Sequence, residues 1–143
     1  MKREIKFRVW DHNTDTMMIP DYFELYDGKI GWIEAGREAG PESGNDGNPD
    51  QFEIMQYTGL HDKNGREIYE NDILKVTSEE GESYVATVKW FGDEGYPAFD
   101  LEGIPETWFY GANALATIFQ EGVDTCEVIG NIFENPELLE GKQ

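Results

Sequence analysis

Hydrophobic and polar residues alternate at the start of the chain, where residues 4–10 read EIKFRVW. An alternation with a period of two is typical of a half-buried β-strand, whose successive side chains point to opposite faces. The two faces of this strand carry Ile5, Phe7 and Val9 on one side and Lys6, Arg8 and Trp10 on the other. The sequence therefore predicts a first strand with one apolar face and one basic face that includes a tryptophan.

Strand-like patterns recur in short segments that are separated by turn residues. The predicted segments are residues 17–19, 22–34, 53–58, 72–77, 84–91, 96–101 and 126–133. Asp27-Gly28 divides the second of them and is a hairpin turn signal. Asn64-Gly65 predicts a type I′ turn, in which both central residues adopt a positive φ. Gly130, inside the last segment, predicts a kink or a close backbone approach.

Two segments have helical rather than strand character. Residues 112–121 place apolar side chains three and four positions apart, and Gly122 is positioned to end the helix. Asn135 and Pro136 predict the N-cap and the first position of a short terminal helix. The sequence as a whole predicts a mainly β fold of short strands with one or two short helices.

The segment from about 35 to 50 separates two groups of predicted strands. It contains several glycines and two prolines but almost no large apolar residue, so it is expected to be a loose loop. We therefore expect an N-terminal β lobe over residues 1–58 and a C-terminal β lobe over residues 59–143, packed as one compact unit. Residues 66–134 are predicted to curl into a small SH3-like barrel, because curling protects exposed strand edges.

The charge of the chain excludes two classes of partner. Its 11 basic and 30 acidic residues give a formal net charge of −19. Nucleic-acid-binding proteins neutralise phosphates with basic side chains, so direct nucleic-acid binding is not expected. The same charge disfavours an anionic membrane surface, and no apolar run approaches the roughly 18 to 20 residues of a membrane-spanning helix. With one cysteine, Cys126, the sequence predicts a cytoplasmic protein without disulfides.

The motif Asp11-x-Asn13-x-Asp15 begins like an EF-hand calcium loop. Thr16 and Tyr22 then stand where that loop requires glycine and glutamate. Asparagine and aspartate in this spacing are also typical of turns, where their side chains bond to nearby backbone groups. We therefore predict a turn and no metal site.

The remaining reactive residue types do not form a catalytic pattern. His12 and His61 lack the spacing of a zinc site, and no serine lies in a nucleophile elbow. Cys126 begins an apolar strand, which favours a small buried residue over a nucleophile. The glycine-rich signatures of nucleotide binding are absent from the sequence. The chain is therefore predicted to be non-enzymatic, with no cofactor.

Three blocks of the sequence resemble the YopX family of bacteriophage and prophage proteins. They are KFRVWD at residues 6–11, QYTGLHDKNGREIYENDILKV at 56–76 and EVIGNIFENPELL at 127–139. The resemblance implies a mainly β protein encoded by a temperate phage or prophage and acting in the bacterial host cell. It implies no catalytic residue, because no enzymatic activity is established for the family.

Two main hypotheses about function follow, and a third is an enzyme whose active site is assembled from carboxylates. The first is an accessory or regulatory protein that binds a host or phage protein. The second is an acidic DNA mimic that occupies a nucleic-acid-binding protein. The basic face of Lys6, Arg8 and Trp10 is the expected protein-contact face, since an acidic patch can dock on it. That patch belongs either to the same chain or to a second copy, which would pair along an edge strand to give a homo-oligomer.

Overall fold

The structure is a computed structural model that describes residues 5–26, 29–35, 51–92, 95–108, 110 and 113–140. The chain divides into two compact units, Met1–Tyr57 and Thr58–Gln143. This division lies one residue before the boundary expected from the sequence. The expected loose loop lies outside the described residues, except that residue 35 ends a strand.

Within those ranges the elements follow one another in a mainly β order, which confirms the predicted fold class. The fold includes a curled half-barrel and two short helices, so the predicted barrel-like curvature is also confirmed. The elements are β1 (Phe7–Asp11), β2 (Thr16–Met18), β3 (Pro20–Tyr26), β4 (Lys29–Ala35), β5 (Phe52–His61), β6 (Glu67–Tyr69), β7 (Asp72–Thr77), β8 (Ser83–Trp90), β9 (Phe99–Glu102), α1 (Ala114–Glu121), β10 (Thr125–Asn131) and α2 (Glu137–Glu140).

In the first unit, β1 lies between two antiparallel neighbours. Val9 is opposite Met18 of β2 on one side and Ile54 of β5 on the other. β3 and β4 pair in antiparallel fashion with Tyr26 opposite Lys29, whereas the predicted turn residues Asp27 and Gly28 lie outside the described residues. The core of this unit is made of Val9, Met18, Ile30 and Ile33. Over residues 9–11 both edges of β1 are already paired, so a second copy has no open edge to pair with there, and the homo-oligomer itself stays a prediction.

In the second unit, the antiparallel sheet has the strand order β10-β7-β8-β9. Helix α1 covers its core with Ala114, Leu115 and Ile118, each at most 4% exposed. Asn113 caps the helix by accepting a hydrogen bond from the Ala116 N–H at 2.8 Å. Gly122 ends the helix in the left-handed conformation at φ 73°, which confirms its predicted role.

Gly130 lies against the side chain of Asn135, which confirms the predicted close approach. A Cβ atom at Gly130 would lie 2.5 Å from the Asn135 Oδ1. The pairing of β10 with β7 also shifts register between Val128 and Gly130, so the predicted kink is present. Asn135 Oδ1 accepts a hydrogen bond from the Asn131 N–H at 3.2 Å. The prediction that the Asn135 side chain caps α2 is therefore wrong, because this side chain accepts its hydrogen bond from Asn131, which precedes it in the chain.

The turn at Asn64-Gly65 forms, but it is not of type I′. Gly65 has a φ of 84°, whereas Asn64 is not among the residues with a positive φ. The Gly65 N–H donates to the Asp62 carbonyl at 3.0 Å, and the Asp62 N–H donates to the Arg66 carbonyl at 2.8 Å. The prediction failed because the Asp62 carboxylate bonds to the Asn64 N–H at 2.9 Å and so sets the turn conformation.

Candidate functional site

The second unit has a groove on each side of Trp108, and we call the two together the Trp108 groove. One part has a volume of about 310 Å³ and the other of about 720 Å³. The first is lined by Asp100, Ile104, Pro105, Glu106, Trp108, Tyr110 and Ala114. The second is lined by Ser78, Glu80, Glu82, Ser83, Thr107 and Trp108. Trp108 is therefore the residue that lines both parts.

The connection between β9 and α1 places Trp108 at this position. A turn begins at Pro105, whose carbonyl accepts a hydrogen bond from the Trp108 N–H at 3.0 Å. The half-buried indole then packs against Tyr84 of β8, with ring centroids 4.6 Å apart and the rings inclined by 68°. Because Tyr84 is only 5% exposed, the indole rests on the core of the unit. The groove thus has a fixed aromatic wall.

Two tyrosines adjoin this wall, since Tyr84 packs against Trp108 and Tyr110 lines the smaller part of the groove. The Tyr84 and Tyr110 hydroxyl oxygens are 2.7 Å apart and share a hydrogen bond. Burial raises the pKa of Tyr84 far above its ordinary value, and the hydrogen bond to Tyr110 adds to the effect. Burial also raises the pKa of Tyr110. Both phenols are therefore neutral at physiological pH, and the charge of the groove comes from its carboxylates.

Asp100 provides a fixed carboxylate in the smaller part of the groove. Its Oδ1 accepts hydrogen bonds from the Leu101 N–H at 2.8 Å and the Leu115 N–H at 3.1 Å. Its Oδ2 accepts a longer bond from the Tyr96 hydroxyl at 3.3 Å. These bonds orient the side chain, because they tie it to β9, to the start of α1 and to Tyr96. The carboxylate is consequently held in one position at the groove.

Three exposed carboxylates complete the charge of the groove, those of Glu80, Glu82 and Glu106. Ser78 organises the turn that carries the first two, since its Oγ accepts hydrogen bonds from both of their N–H groups at 3.2 Å. Among the described residues that line the groove, none is basic. The groove is therefore an anionic surface with an aromatic wall, suited to a cationic group.

The structure places the predicted contact face in the first unit. Lys6 is half-buried, with its Nζ 5.7 Å from the centre of the Tyr57 ring, within cation–π range. Arg8 is half-buried and lies opposite Met55 in the pairing of β1 with β5. Trp10 is only 5% exposed and stands edge-on to the His12 ring. Its indole therefore offers little apolar area to a partner, and the contact face stays a prediction.

The Trp108 groove was missed by sequence reasoning. The one local signal is the run Trp108-Phe109-Tyr110, three aromatic residues in a segment bounded by glycines and otherwise read as a connection. Large aromatic residues in a loop often mark a binding surface. The carboxylates could not have been assigned to the groove, because residues 78–83 and 100–110 come together only in the folded sheet.

A second depression, of about 230 Å³, contains His61, Asp62 and Cys126 among its lining residues. Burial, with a smaller contribution from the nearby charge of Asp62, raises the pKa of the Cys126 thiol to about 11. The thiol is therefore protonated at neutral pH, which does not suit a nucleophile. This supports the prediction that Cys126 is a small buried residue.

Asp62 itself is buried and engaged by backbone groups. Its carboxylate accepts hydrogen bonds from the N–H groups of Val128 at 2.8 Å and of Arg66 and Asn64 at 2.9 Å. Desolvation by burial raises the pKa of Asp62, but these three bonds, together with the charge of Arg66, lower it overall. A carboxylate with a lowered pKa and three donors suits a structural role better than proton transfer.

The turn that begins with Asp11 is held by its own side chains, as predicted. Asp11 is fully buried, and its Oδ1 accepts hydrogen bonds from the Asn13 N–H at 2.9 Å and the Gln51 amide at 3.0 Å. In the described part of the chain, no group of three or more His, Cys, Asp or Glu side chains could hold a metal ion. Nor does any helix within the described ranges have the length and apolar character needed to cross a membrane.

Comparison with known proteins relates the whole chain to one family. The profile of the family described as "YopX protein" matches residues 6–140. The crystal structure of protein EF1440 from Enterococcus faecalis is 26% identical, covers 96% of this chain and 99% of that one, and has a TM-score of 0.56. The structure of protein yopX from Bacillus subtilis is 22% identical, covers 94% and 97%, and has a TM-score of 0.45. No curated protein matches the chain.

Proposed function

This chain belongs to the YopX family, and we propose that it is a non-enzymatic accessory or regulatory protein of a phage or prophage that binds a basic protein surface through its Trp108 groove. The partner is a host or phage protein in the bacterial cytoplasm. One observation carries the proposal. A fixed indole separates two anionic depressions, and among the described residues that line them none is basic.

The chemistry of protein interfaces supports this function. Tryptophan and tyrosine are enriched among the residues that dominate binding energy, especially where they are already held in place. Trp108 and Tyr84 meet this condition through their edge-on packing. The surrounding carboxylates would steer a basic partner toward the groove and select against acidic ones. With a net charge of −19, the whole chain favours the same class of partner.

The state of Asp62 and Cys126, two buried titratable groups that line the second depression, favours binding over catalysis. The Asp62 carboxylate is engaged by three N–H donors, and its pKa is lowered overall. The Cys126 thiol has a pKa of about 11, so it is neutral in the cell. Neither group has the poised pKa that a general acid, general base or nucleophile requires at neutral pH.

A DNA-mimic function is the alternative, and it would use the same carboxylates. Glu80, Glu82, Asp100 and Glu106 would then occupy the phosphate-binding surface of a nucleic-acid-binding protein. The two functions differ in the part played by Trp108, because phosphate mimicry depends on charge and not on an aromatic wall. A mimic would be displaced from its partner by duplex DNA and would tolerate Trp108→Leu if the variant folds.

The test compares two double variants of equal charge. Glu82→Gln with Glu106→Gln removes two carboxylates from the groove, whereas Glu121→Gln with Glu137→Gln removes two exposed ones elsewhere in the same unit. Each tagged chain is used to capture proteins from a lysate of Bacillus subtilis or Enterococcus faecalis at several salt concentrations. We expect a basic protein that the groove variant loses and the control retains. Equal retention by both variants would contradict the proposal.

A further inference from the structure

The smaller part of the Trp108 groove has the composition of a receptor for one side chain. We propose that it binds an arginine of the partner, with the guanidinium against Trp108 and between the carboxylates of Asp100 and Glu106. This inference rests on the proposed function, because it names the chemical group that the groove recognises. The smaller part of the groove is lined by the aromatic and apolar residues Trp108, Tyr110 and Ile104. Its acidic lining residues are Asp100 and Glu106.

The aromatic wall is suited to a planar cation. The indole attracts a cation to its ring face, and tryptophan is the best of the aromatic side chains in this respect. Trp108 is half-buried and borders the pocket, and its orientation is held by its packing at 68° against Tyr84. A guanidinium can stack on such a ring and still donate its hydrogen bonds in the plane, which an ammonium cannot do.

The two carboxylates play different parts in this pocket. Asp100 is held by backbone hydrogen bonds from β9 and α1, so its position costs little entropy when a ligand binds. Among the described residues, the Asp100 Oδ2 accepts one bond, from the Tyr96 hydroxyl at 3.3 Å, and an ionised carboxylate oxygen can accept a second donor. Glu106 is exposed and lies in the turn that precedes Trp108, so it supplies the second charge at the rim.

Arginine is favoured over lysine by this arrangement of groups. The guanidinium has five donors in a fixed fork, so it can bond to carboxylates on two sides while it stacks on the indole. A lysine ammonium is a strongly hydrated point charge, and it would lose hydration without gaining the stacking contact. The Tyr110 hydroxyl is half-buried and already shares a hydrogen bond with the Tyr84 hydroxyl at 2.7 Å, so the selectivity comes from the indole and the carboxylates.

The experiment is a titration of the full chain with three small probes, followed by NMR of the indole N–H signals. The probes are N-acetyl-arginine amide, N-acetyl-lysine amide and the neutral N-acetyl-citrulline amide. Trp108→Phe assigns the relevant signal, since that signal disappears in the variant. Glu106→Gln tests the rim carboxylate, and Glu121→Gln is the control with the same change in charge. The spectrum of each variant also reports whether it is folded.

We expect the arginine probe to shift the Trp108 signal with saturation, and the lysine probe to bind about threefold or more weakly. Citrulline should give no saturating shift. Glu106→Gln should weaken arginine binding on the order of threefold, whereas Glu121→Gln should leave it unchanged. Equal binding of arginine and lysine, an equal effect of both variants, or no response at Trp108 would each overturn the proposal.

This outcome is independent of the capture experiment. If the Glu82→Gln, Glu106→Gln variant loses a basic partner but the native chain binds the arginine and lysine probes equally, the proposed function stands and the arginine pocket does not. A chain that binds the arginine probe at Trp108 but captures no basic protein retains the pocket and lacks the function.

Discussion

The Asp62 carboxylate accepts a hydrogen bond from the Val128 N–H at 2.8 Å across a sequence separation of 66 residues. Two more contacts join the same turn to the same strand. The Lys63 N–H donates to the Cys126 carbonyl, and the Arg66 guanidinium donates to the Val128 carbonyl, both at 3.0 Å. β10 is an end strand of its four-stranded sheet, so the 62–66 turn occupies backbone groups that would otherwise be open to pairing.

Replacing this carboxylate should destabilise the second unit. Asp62→Asn keeps the shape of the side chain but removes its charge. It also replaces one of the two carboxylate oxygens, which together accept hydrogen bonds from three backbone N–H groups. We expect a loss of about 2–3 kcal/mol in the free energy of unfolding, because hydrogen bonds to charged groups are among the stronger ones. Urea denaturation measures the loss, and hydrogen exchange of the Val128 N–H should speed up with it. Glu121→Gln is the exposed control and should change little.

The stabilisation by Asp62 should disappear in acid. Its folded-state pKa lies below the unfolded value, so the contribution is fully present above the unfolded pKa of about 3.9 and is lost as pH falls through the folded pKa. The difference in stability between the native chain and Asp62→Asn should therefore be constant near neutral pH and shrink below about pH 4. A difference that stays constant down to pH 2 would show that the charge is not what stabilises the turn.

The Cys126 thiol should be unreactive in the folded chain. A pKa of about 11, caused by burial, leaves little thiolate at pH 8. We expect labelling by a thiol reagent at that pH to be on the order of 100-fold or more slower than for an exposed cysteine, and to become fast in denaturant. Rapid labelling of the folded chain would mean that the thiol is exposed or activated, and would reopen a catalytic role.

The contact between Gly130 and Asn135 can be tested by a double-mutant cycle. Gly130→Ala places a methyl group 2.5 Å from the Asn135 Oδ1, so one of the two must move. We expect a cost of about 1–3 kcal/mol in the native background and a clearly smaller cost when Asn135→Ala is already present. Thermal unfolding of the four chains measures the coupling. Equal costs in both backgrounds would show that the Asn135 side chain is not the obstacle.

Local patterns predicted most of the secondary structure. The alternation over 84–91 and 72–77 and the stripe that ends at Gly122 were correct to within two residues, because period and capping are local properties. The turn at Asn64-Gly65 was assigned the wrong type, since its conformation depends on the Asp62 carboxylate. The pairing of β1 with both β2 and β5 was not predictable for a similar reason, because strand order is set by pairing between distant segments.

The candidate site was not predictable in the same way. Asp100, Glu82 and Trp108 belong to three segments, and the sheet and the turns beside it bring them around one groove. Acidic residues are so frequent in this chain that no single one stands out in the sequence. The basic face of Lys6 and Arg8 was conspicuous because basic residues are few in this acidic chain. The groove, in contrast, is made of acidic and aromatic residues that occur throughout the sequence.

A photo-crosslinking amino acid at Thr107 in the full chain, compared with the same replacement at Thr125, tests most directly whether the groove binds a basic partner. Both positions are exposed in the second unit, but of the two only Thr107 lines the Trp108 groove, and both replacements leave the groove carboxylates in place. Irradiation in a bacterial host should give an adduct with a basic protein from position 107, and the adduct should weaken at high salt and in the Glu82→Gln background. Equal adducts from both positions, or an adduct with an acidic protein, would contradict the claim that this groove binds a basic partner.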